Sequence, residues 1–323
     1  MDVSTSQTTD FLSPTGDALL RWHERIVHWV LRQGVVPRHV AIVPDGNRRF
    51  ARKNGMKLSN VYCTLLEKLI WIWPRLVALG VTEMTSFLIS TRNFSRDNTE
   101  VVAVVDGLEN FFTKTLHSLH IFRRINWSVT TAGNLKMLPK NMQANVARIE
   151  TGTDDESCKK KLRFCAAYSS KLDLTNMVKD FVDAIRSGVI QSDDISAGLI
   201  VEWLELNEAS ETELWFRSSG ERRFSEFLVL QSGYSYMCIE RQLWPAVTFW
   251  NWVRAILRFQ FHWPYIKAVK DKHAKLWPAM CDRNDSARTI RQNSFLKHTK
   301  SKRMAHMNSF CYDKKSLQFE DPI

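Results

Sequence analysis

Along this chain the pattern of apolar and polar positions switches repeatedly between two periods. Six short, mostly apolar runs, at residues 39–43, 85–89, 127–131, 162–167, 214–217 and 234–240, have the length and composition of buried strands. Between them, residues 49–79, 99–120, 140–150, 171–187 and 247–260 carry apolar positions at helical spacing. Strands alternating with helices predict an α/β fold, with a mostly parallel sheet flanked by helices on both faces. No internal repeat or low-complexity linker interrupts the pattern, so a single domain over residues 35–281 is expected. Ahead of it, ALLRWHERIVHWVLRQG at 18–34 reads as an amphipathic helix closed by Gly34, after a flexible stretch at 1–17. Behind it, residues 282–323 are basic and sparse in apolar periodicity, which predicts a loose tail.

Composition narrows the class. At 323 residues and 44% hydrophobic content the chain can bury a sizeable core. The net charge of +11 is unevenly placed, since residues 261–323 hold 13 Lys or Arg against 6 Asp or Glu. Such a tail can meet nucleic acid, an anionic membrane surface or only water. Few aromatics are interleaved with its cations, so nucleic acid is not expected as a partner. The six cysteines are scattered without a CxxC pair, which signals neither a zinc site nor a disulfide framework. The first residues lack the positive start and apolar stretch of a secretory signal. The best apolar run, residues 69–81, is cut by Pro74 and Arg75, so no transmembrane span is predicted. Two acidic clusters, at 150–157 and 192–196, read as solvated loops.

The candidate chemistry sits where strands empty into loops, the place where open α/β sheets bind ligands. In PDGNRRF the first strand runs into Asp45, Gly46, Asn47, Arg48 and Arg49. Gly46 lets backbone amides approach a ligand, the following helix start favours negative charge, and the arginines offer forked donors to phosphate oxygens. Asp45 would repel such an anion unless a cation such as Mg²⁺ lay between them. Taken alone, the motif fits an N-capping aspartate with solvated arginines equally well. A second stretch, LWFRSSGERRFSEF, ends another strand with Arg217, Glu221, Arg223 and Ser225, a second anion site of the same character. A third, SFLISTRNFSRDNTEV, supplies Ser90, Asn93, Phe94, Arg96 and Glu100, or simply starts a helix capped at Ser95 or Asp97. Two anion sites imply two phosphorylated substrates.

These three stretches, in this order and followed by LWPAVTFWNW at 243–252, resemble the signature regions of the cis-prenyltransferases over residues 22–260. Within that family the Asn-Arg-Arg of the first motif is most similar to the eukaryotic dehydrodolichyl diphosphate synthase branch. The resemblance implies the family's α/β fold with a hydrophobic tunnel between sheet and helices. It also implies condensation of isopentenyl diphosphate onto an allylic diphosphate such as farnesyl diphosphate, giving a long polyprenyl diphosphate. Under it, Asp45 holds Mg²⁺ and the allylic diphosphate, and Gly46, Asn47, Arg48 and Arg49 surround that group. Asn93 and Arg96 are catalytic, with Ser90, Phe94 and Glu100 beside them; Arg217, Glu221, Arg223 and Ser225 grip isopentenyl diphosphate. Candidate tunnel walls are Trp71, Trp73, Leu76, Phe87, Phe111, Phe112 and Leu116, which serve equally well as plain core.

Three departures qualify this. Leu58, Val61 and Tyr62 stand where most members have an arginine and a Gly-His pair, Tyr236 replaces a metal-binding glutamate, and residues 283–323 lack the Arg-x-Gly of members that act alone. The resemblance therefore implies a heteromer with a Nogo-B receptor-like partner, attached peripherally to the cytosolic face of the endoplasmic reticulum. The alternatives are a catalytically degenerate homologue that stabilises or regulates such a complex, and a generic phosphate-binding protein, which would carry a glycine-rich phosphate loop.

Overall fold

The computed structural model describes residues 20–155, 158, 160–207, 209–276 and 286–311. Six strands form one sheet: β1 (His39–Val43), β2 (Glu83–Ser90), β3 (Trp127–Ala132), β4 (Lys160–Tyr168), β5 (Leu214–Arg217) and β6 (Tyr236–Ile239). Their order is β3-β4-β2-β1-β5-β6, and every neighbouring pair is parallel. Strand β1 is wholly buried and alternates between two cores, as pleating requires. Val40 and Ile42 face the larger cluster under the long helices, and Ala41 and Val43 face a smaller one with Trp215 and Phe227. Because β1 pairs with both β2 and β5, the loops leaving all three strands converge at one end of the sheet.

Among the described residues ten α-helices surround the sheet: α1 (Trp22–Leu31), α2 (Asn47–Asn54), α3 (Leu58–Leu79), α4 (Asn98–His117), α5 (Leu119–Arg124), α6 (Lys140–Thr153), α7 (Ser170–Arg186), α8 (Ala197–Asn207), α9 (Phe249–Leu276) and α10 (Ser286–Cys311). The single helix expected over 49–79 is two. Gly55 takes φ 62, its amide caps Ala51 O, and this left-handed residue ends α2 before α3 begins. Among the described residues no helix is long and apolar enough to cross a membrane.

The loose tail expected from residue 282 is overturned over residues 286–311. Helix α10 packs on α6 and α8, burying Phe295, Thr299 and Met307. Its docking relies on few apolar positions because basic side chains supply the rest. Arg291 makes two 2.7 Å bonds to Asp194, and Arg303 reaches Glu150 at 2.7 and 3.1 Å. The acidic clusters read as solvated loops are accordingly not so at these positions, since Glu150 and Asp194 are 3% and 1% exposed. The remaining ranges foreseen for the tail, 282–285 and 312–323, lie outside the described residues, as does the stretch at 1–17.

Candidate active site

At the carboxyl ends of β1, β2 and β5 lies a cleft of about 870 Å³. Seven arginines line it (48, 49, 52, 92, 96, 217 and 223) against two carboxylates, Asp45 and Glu221, so its field favours an anion. Gly46, Asn47, Ser90, Asn93 and Ser225 also line it, while Leu58, Tyr62, Leu65, Phe87, Leu88 and Ile89 make one side apolar.

The sheet register builds the centre of this site. Val43 is opposite Arg217 in the β1–β5 pairing, so the chain two residues beyond Val43 meets the end of β5. There Arg217 Nη2 donates to Asp45 Oδ2 at 2.6 Å, and the Gly46 amide donates to Oδ1 at 2.6 Å. Burial pushes the Asp45 carboxyl up, but the hydrogen bond and charge of Arg217, the Gly46 amide and Arg49 together outweigh it, holding Asp45 below the usual aspartate range. Ser218 fixes the loop by exchanging 2.8 Å bonds with the backbone of Asp45. Gly46 has φ 99, and a Cβ there would lie 2.7 Å from Leu243 Cδ2 and 3.0 Å from Ser219 Cβ, so the turn into α2 requires glycine. The motif at 243–252 works behind this loop: Trp244 N donates to Asp45 O and its indole to Leu65 O, each at 3.0 Å.

Arg217 is 3% exposed and also donates to Ser225 Oγ at 2.9 Å and to the carbonyl of Arg223. Its Nε, with Asn47 Oδ1 and Ser219 Oγ, is buried without a hydrogen-bond partner among the described residues. A buried donor without an acceptor is costly. Arg223 pairs with Glu221 at 2.5 Å, and Arg49 with the same carboxylate at 3.2 Å, so Glu221 holds both guanidiniums at the rim.

On the far wall Asn93 folds back on Ser90, accepting from its amide at 3.0 Å and from its hydroxyl. Glu100 does not line the cleft. It stands behind, pairing with Arg96 at 2.5 Å and Arg48 at 3.5 Å. Phe94 is likewise drawn into the larger core and is not a lining residue. Tyr62 donates to Glu100 at 3.4 Å, and burial, then the adjacent carboxylate, push its phenol up to about 12, so it stays a donor. Of the other departures, Val61 is fully buried in the core, and Tyr236 starts β6 stacked on His262 with ring centroids 4.9 Å apart. The proposed tunnel residues Trp73, Phe111 and Phe112 pack with Phe164 in an aromatic cluster behind the cleft.

Sequence reasoning missed Arg52, Arg92 and Glu226. Arg52 follows Arg48 by one helical turn on α2 and was legible from that spacing. Arg92 and Glu226 gave no local signal, because their pairing joins residues 134 apart.

Among the described residues no group of three or more His, Cys, Asp or Glu could hold a metal by itself. The donor set still fits Mg²⁺, which commonly takes one or two carboxylates and completes its shell with substrate phosphates and water. Asp45 offers one such carboxylate, ionised and partly open to the cleft.

A parallel α/β sheet whose strand ends carry an arginine-lined cleft defines an anion-binding enzyme-like fold. The family model described as putative undecaprenyl diphosphate synthase matches residues 43–263, and the chain belongs to this family. The human dehydrodolichyl diphosphate synthase complex subunit is 29% identical over 78% of this chain and 75% of its own. A tritrans,polycis-undecaprenyl-diphosphate synthase of Methanopyrus kandleri, described as geranylgeranyl-diphosphate specific, is 30% identical over 74% of this chain and 88% of its own. Lavandulyl diphosphate synthase from Lavandula x intermedia shares the fold with a TM-score of 0.64 at 22% identity, covering 70% of this chain and 95% of that one.

Proposed function

We propose that this chain is a cis-prenyltransferase subunit that condenses isopentenyl diphosphate onto farnesyl diphosphate and elongates it to a long, dehydrodolichyl-type polyprenyl diphosphate. The observation that carries the reading is the Asp45–Arg217 centre, which sets one carboxylate and a buried guanidinium among six further arginines. Membership of the family, and relatives named as synthases, favour catalysis over the degenerate alternative and over a generic phosphate-binding protein.

In this reading Arg48, Arg49 and the amides at the start of α2 bind the allylic diphosphate, with Gly46 giving them access. Asp45 would hold Mg²⁺, which when bound neutralises charge on the leaving diphosphate. As the allylic C–O bond breaks, Arg48, Arg49 and Arg96 face the negative charge that develops. Arg217, Arg223 and Ser225 hold isopentenyl diphosphate on the other side, Glu221 orienting Arg223, and Asn93 orients the condensing groups. The new C–C bond forms and a proton leaves the isopentenyl unit. The apolar side of the cleft receives the chain, each buried CH₂ contributing about 0.8 kcal/mol. The Leu58 and Tyr62 departures remove an arginine and a histidine, but Tyr62 keeps Glu100, and through it Arg48 and Arg96, in place. Incubation of the purified full-length chain, alone and with its partner subunit, with farnesyl diphosphate, labelled isopentenyl diphosphate and Mg²⁺ should yield labelled long polyprenyl diphosphate. No product under either condition, with both substrates bound, would overturn the reading.

Such a product is insoluble in water, and peripheral attachment to the cytosolic face of the endoplasmic reticulum follows from the proposal. Helix α1 is turned polar side in: Glu24 and His28 are buried, Glu24 pairing with Arg75 at 3.1 Å, while Trp22, Ile26, Trp29 and Val30 are exposed. With Arg21 and Arg25 beside it, that face suits an anionic lipid surface. A W22S/W29S variant should cosediment with phosphatidylserine-containing vesicles about tenfold more weakly than wild type. Undiminished binding would remove α1 from the attachment.

A further inference from the structure

The second anion-binding loop is held in an improbable backbone. Between β5 and Leu228, five residues adopt positive φ: Ser219 (79), Gly220 (76), Ser225 (53), Glu226 (57) and Leu228 (48). Four of them are not glycine, and such conformations persist only where surrounding contacts over-determine them. One support is hydrophobic, since Phe227 is fully buried and stacks on Phe87 with centroids 4.8 Å apart.

Arg217 and backbone bonds from Ser219 and Gly220 to Gln242 and Glu240 hold the loop's first half, and a carboxylate supports the second. Glu226 accepts from Ser169 Oγ at 2.6 Å, pairs with Lys171 at 3.4 Å, and pairs with Arg92. Its backbone carbonyl accepts from the Ser170 amide at 2.8 Å, and Val229 N donates to Ser170 Oγ at 3.1 Å. Ser169 caps α7 after β4, Arg92 lies in the turn after β2, and Glu226 itself follows β5. Three strand ends are thus tied at one side chain, directly beside Ser225, which Arg217 contacts at 2.9 Å. Arg92 lines the cleft, so its pairing with Glu226 joins two walls of the site.

Resting on the proposed reaction, we infer that Glu226 is a positioning residue: it locks the 217–228 segment so that Arg217 and Ser225 present a preformed grip for isopentenyl diphosphate, with Arg92 linking that grip to the opposite wall. Preorganisation of this kind acts on affinity at one pocket and leaves the other substrate nearly untouched.

The test combines two readouts on the full-length chain. Calorimetric binding of isopentenyl diphosphate and, separately, of farnesyl diphosphate needs no turnover, so it stands even if no condensation is observed. Glu226→Ala should weaken isopentenyl diphosphate about tenfold and farnesyl diphosphate less than about twofold. Amide hydrogen exchange should quicken within 217–228 and stay unchanged in α3 and β3. Glu226→Gln, whose amide oxygen can still accept from Ser169, should recover part of the affinity. If turnover is measurable, the same selectivity should appear in KM with little change in kcat. Faster exchange without a change in affinity would reduce Glu226 to a structural role and overturn the inference, as would equal losses for both substrates. Should Glu226→Ala fail to fold, Arg92→Ala removes one exposed partner and leaves Ser169 and Lys171 in place. It should shift both readouts in the same direction by less, and identity with wild type would overturn the link across the cleft.

Discussion

Replacing Asp45 with Ala is expected to lower the rate of condensation by about a thousandfold or more, the scale on which lost metal and charge stabilisation acts. The side chain is 28% exposed at the mouth of β1, so the sheet and its two cores do not depend on its volume. Arg217 does depend on its charge, because that guanidinium is 3% exposed and Asp45 is its carboxylate partner. Alanine therefore also leaves a buried cation poorly compensated, at a cost of about 1–3 kcal/mol once the partial exposure of Asp45 is discounted. Asp45→Asn separates the two effects. It keeps an acceptor oxygen for either Arg217 or the Gly46 amide, which bond to opposite oxygens of the carboxylate, while removing the charge, so activity should fall nearly as far with a somewhat smaller loss of thermal stability. Because Arg217 and its neighbours hold the folded carboxyl below its unfolded value, Asp45 contributes stability that is present above the unfolded pKa and lost as pH falls through the folded one. Steady-state kinetics at saturating Mg²⁺ and thermal unfolding of both variants check this. Near-normal turnover in Asp45→Ala would remove the residue from the chemistry.

How much of this was legible in the sequence depends on the range of the interaction involved. Strands β1 and β5 follow their apolar runs residue for residue, since a strand buried on both faces is continuously apolar and polar residues end it. The three loops were legible because their arginines, hydroxyls and glycine are local and crowded. What escaped was written in long-range charge pairs. Helix α10 looked like a solvated tail because its energetic anchors, Arg291 and Arg303, only make sense once Asp194 and Glu150 are known to be buried far away in sequence. The same limitation hid Arg92 and Glu226. Phe94 and Glu100, which the resemblance set beside Asn93 and Arg96, pack against the larger core and pair with Arg96 respectively.

The second large effect concerns association. The stretch 244–263 divides by helical phase on and ahead of α9. Trp244, Trp252, Phe259 and Trp263 are buried within the chain, whereas Trp250, Leu257, Phe261 and, one turn further, Tyr265 remain exposed. Of these, Trp250, Leu257 and Phe261, with Arg254 and Arg258, line a shallow groove of about 500 Å³. Large aromatics and arginines together are the side chains that most often anchor protein interfaces. Only part of the stretch is therefore needed for intramolecular packing, and the remainder suits a partner subunit with an apolar ridge and carboxylates facing the arginines. On the proposed reading the cleft gives a chemical reason for such a partner, because the resemblance to the family puts Leu58 and Tyr62, both lining residues, where an arginine and a histidine would stand. Donors contributed from outside would each be worth about two to three orders of magnitude in rate if aimed at the developing charge. Co-expression with a Nogo-B receptor-like subunit should accordingly raise turnover by about a hundredfold. A W250E/F261E variant should abolish association in sedimentation velocity, and its fold should survive because both side chains are more than half exposed. Its residual activity should match that of the lone chain. Full activity from the chain alone, or undiminished association of the double variant, would place the missing donors and the interface elsewhere.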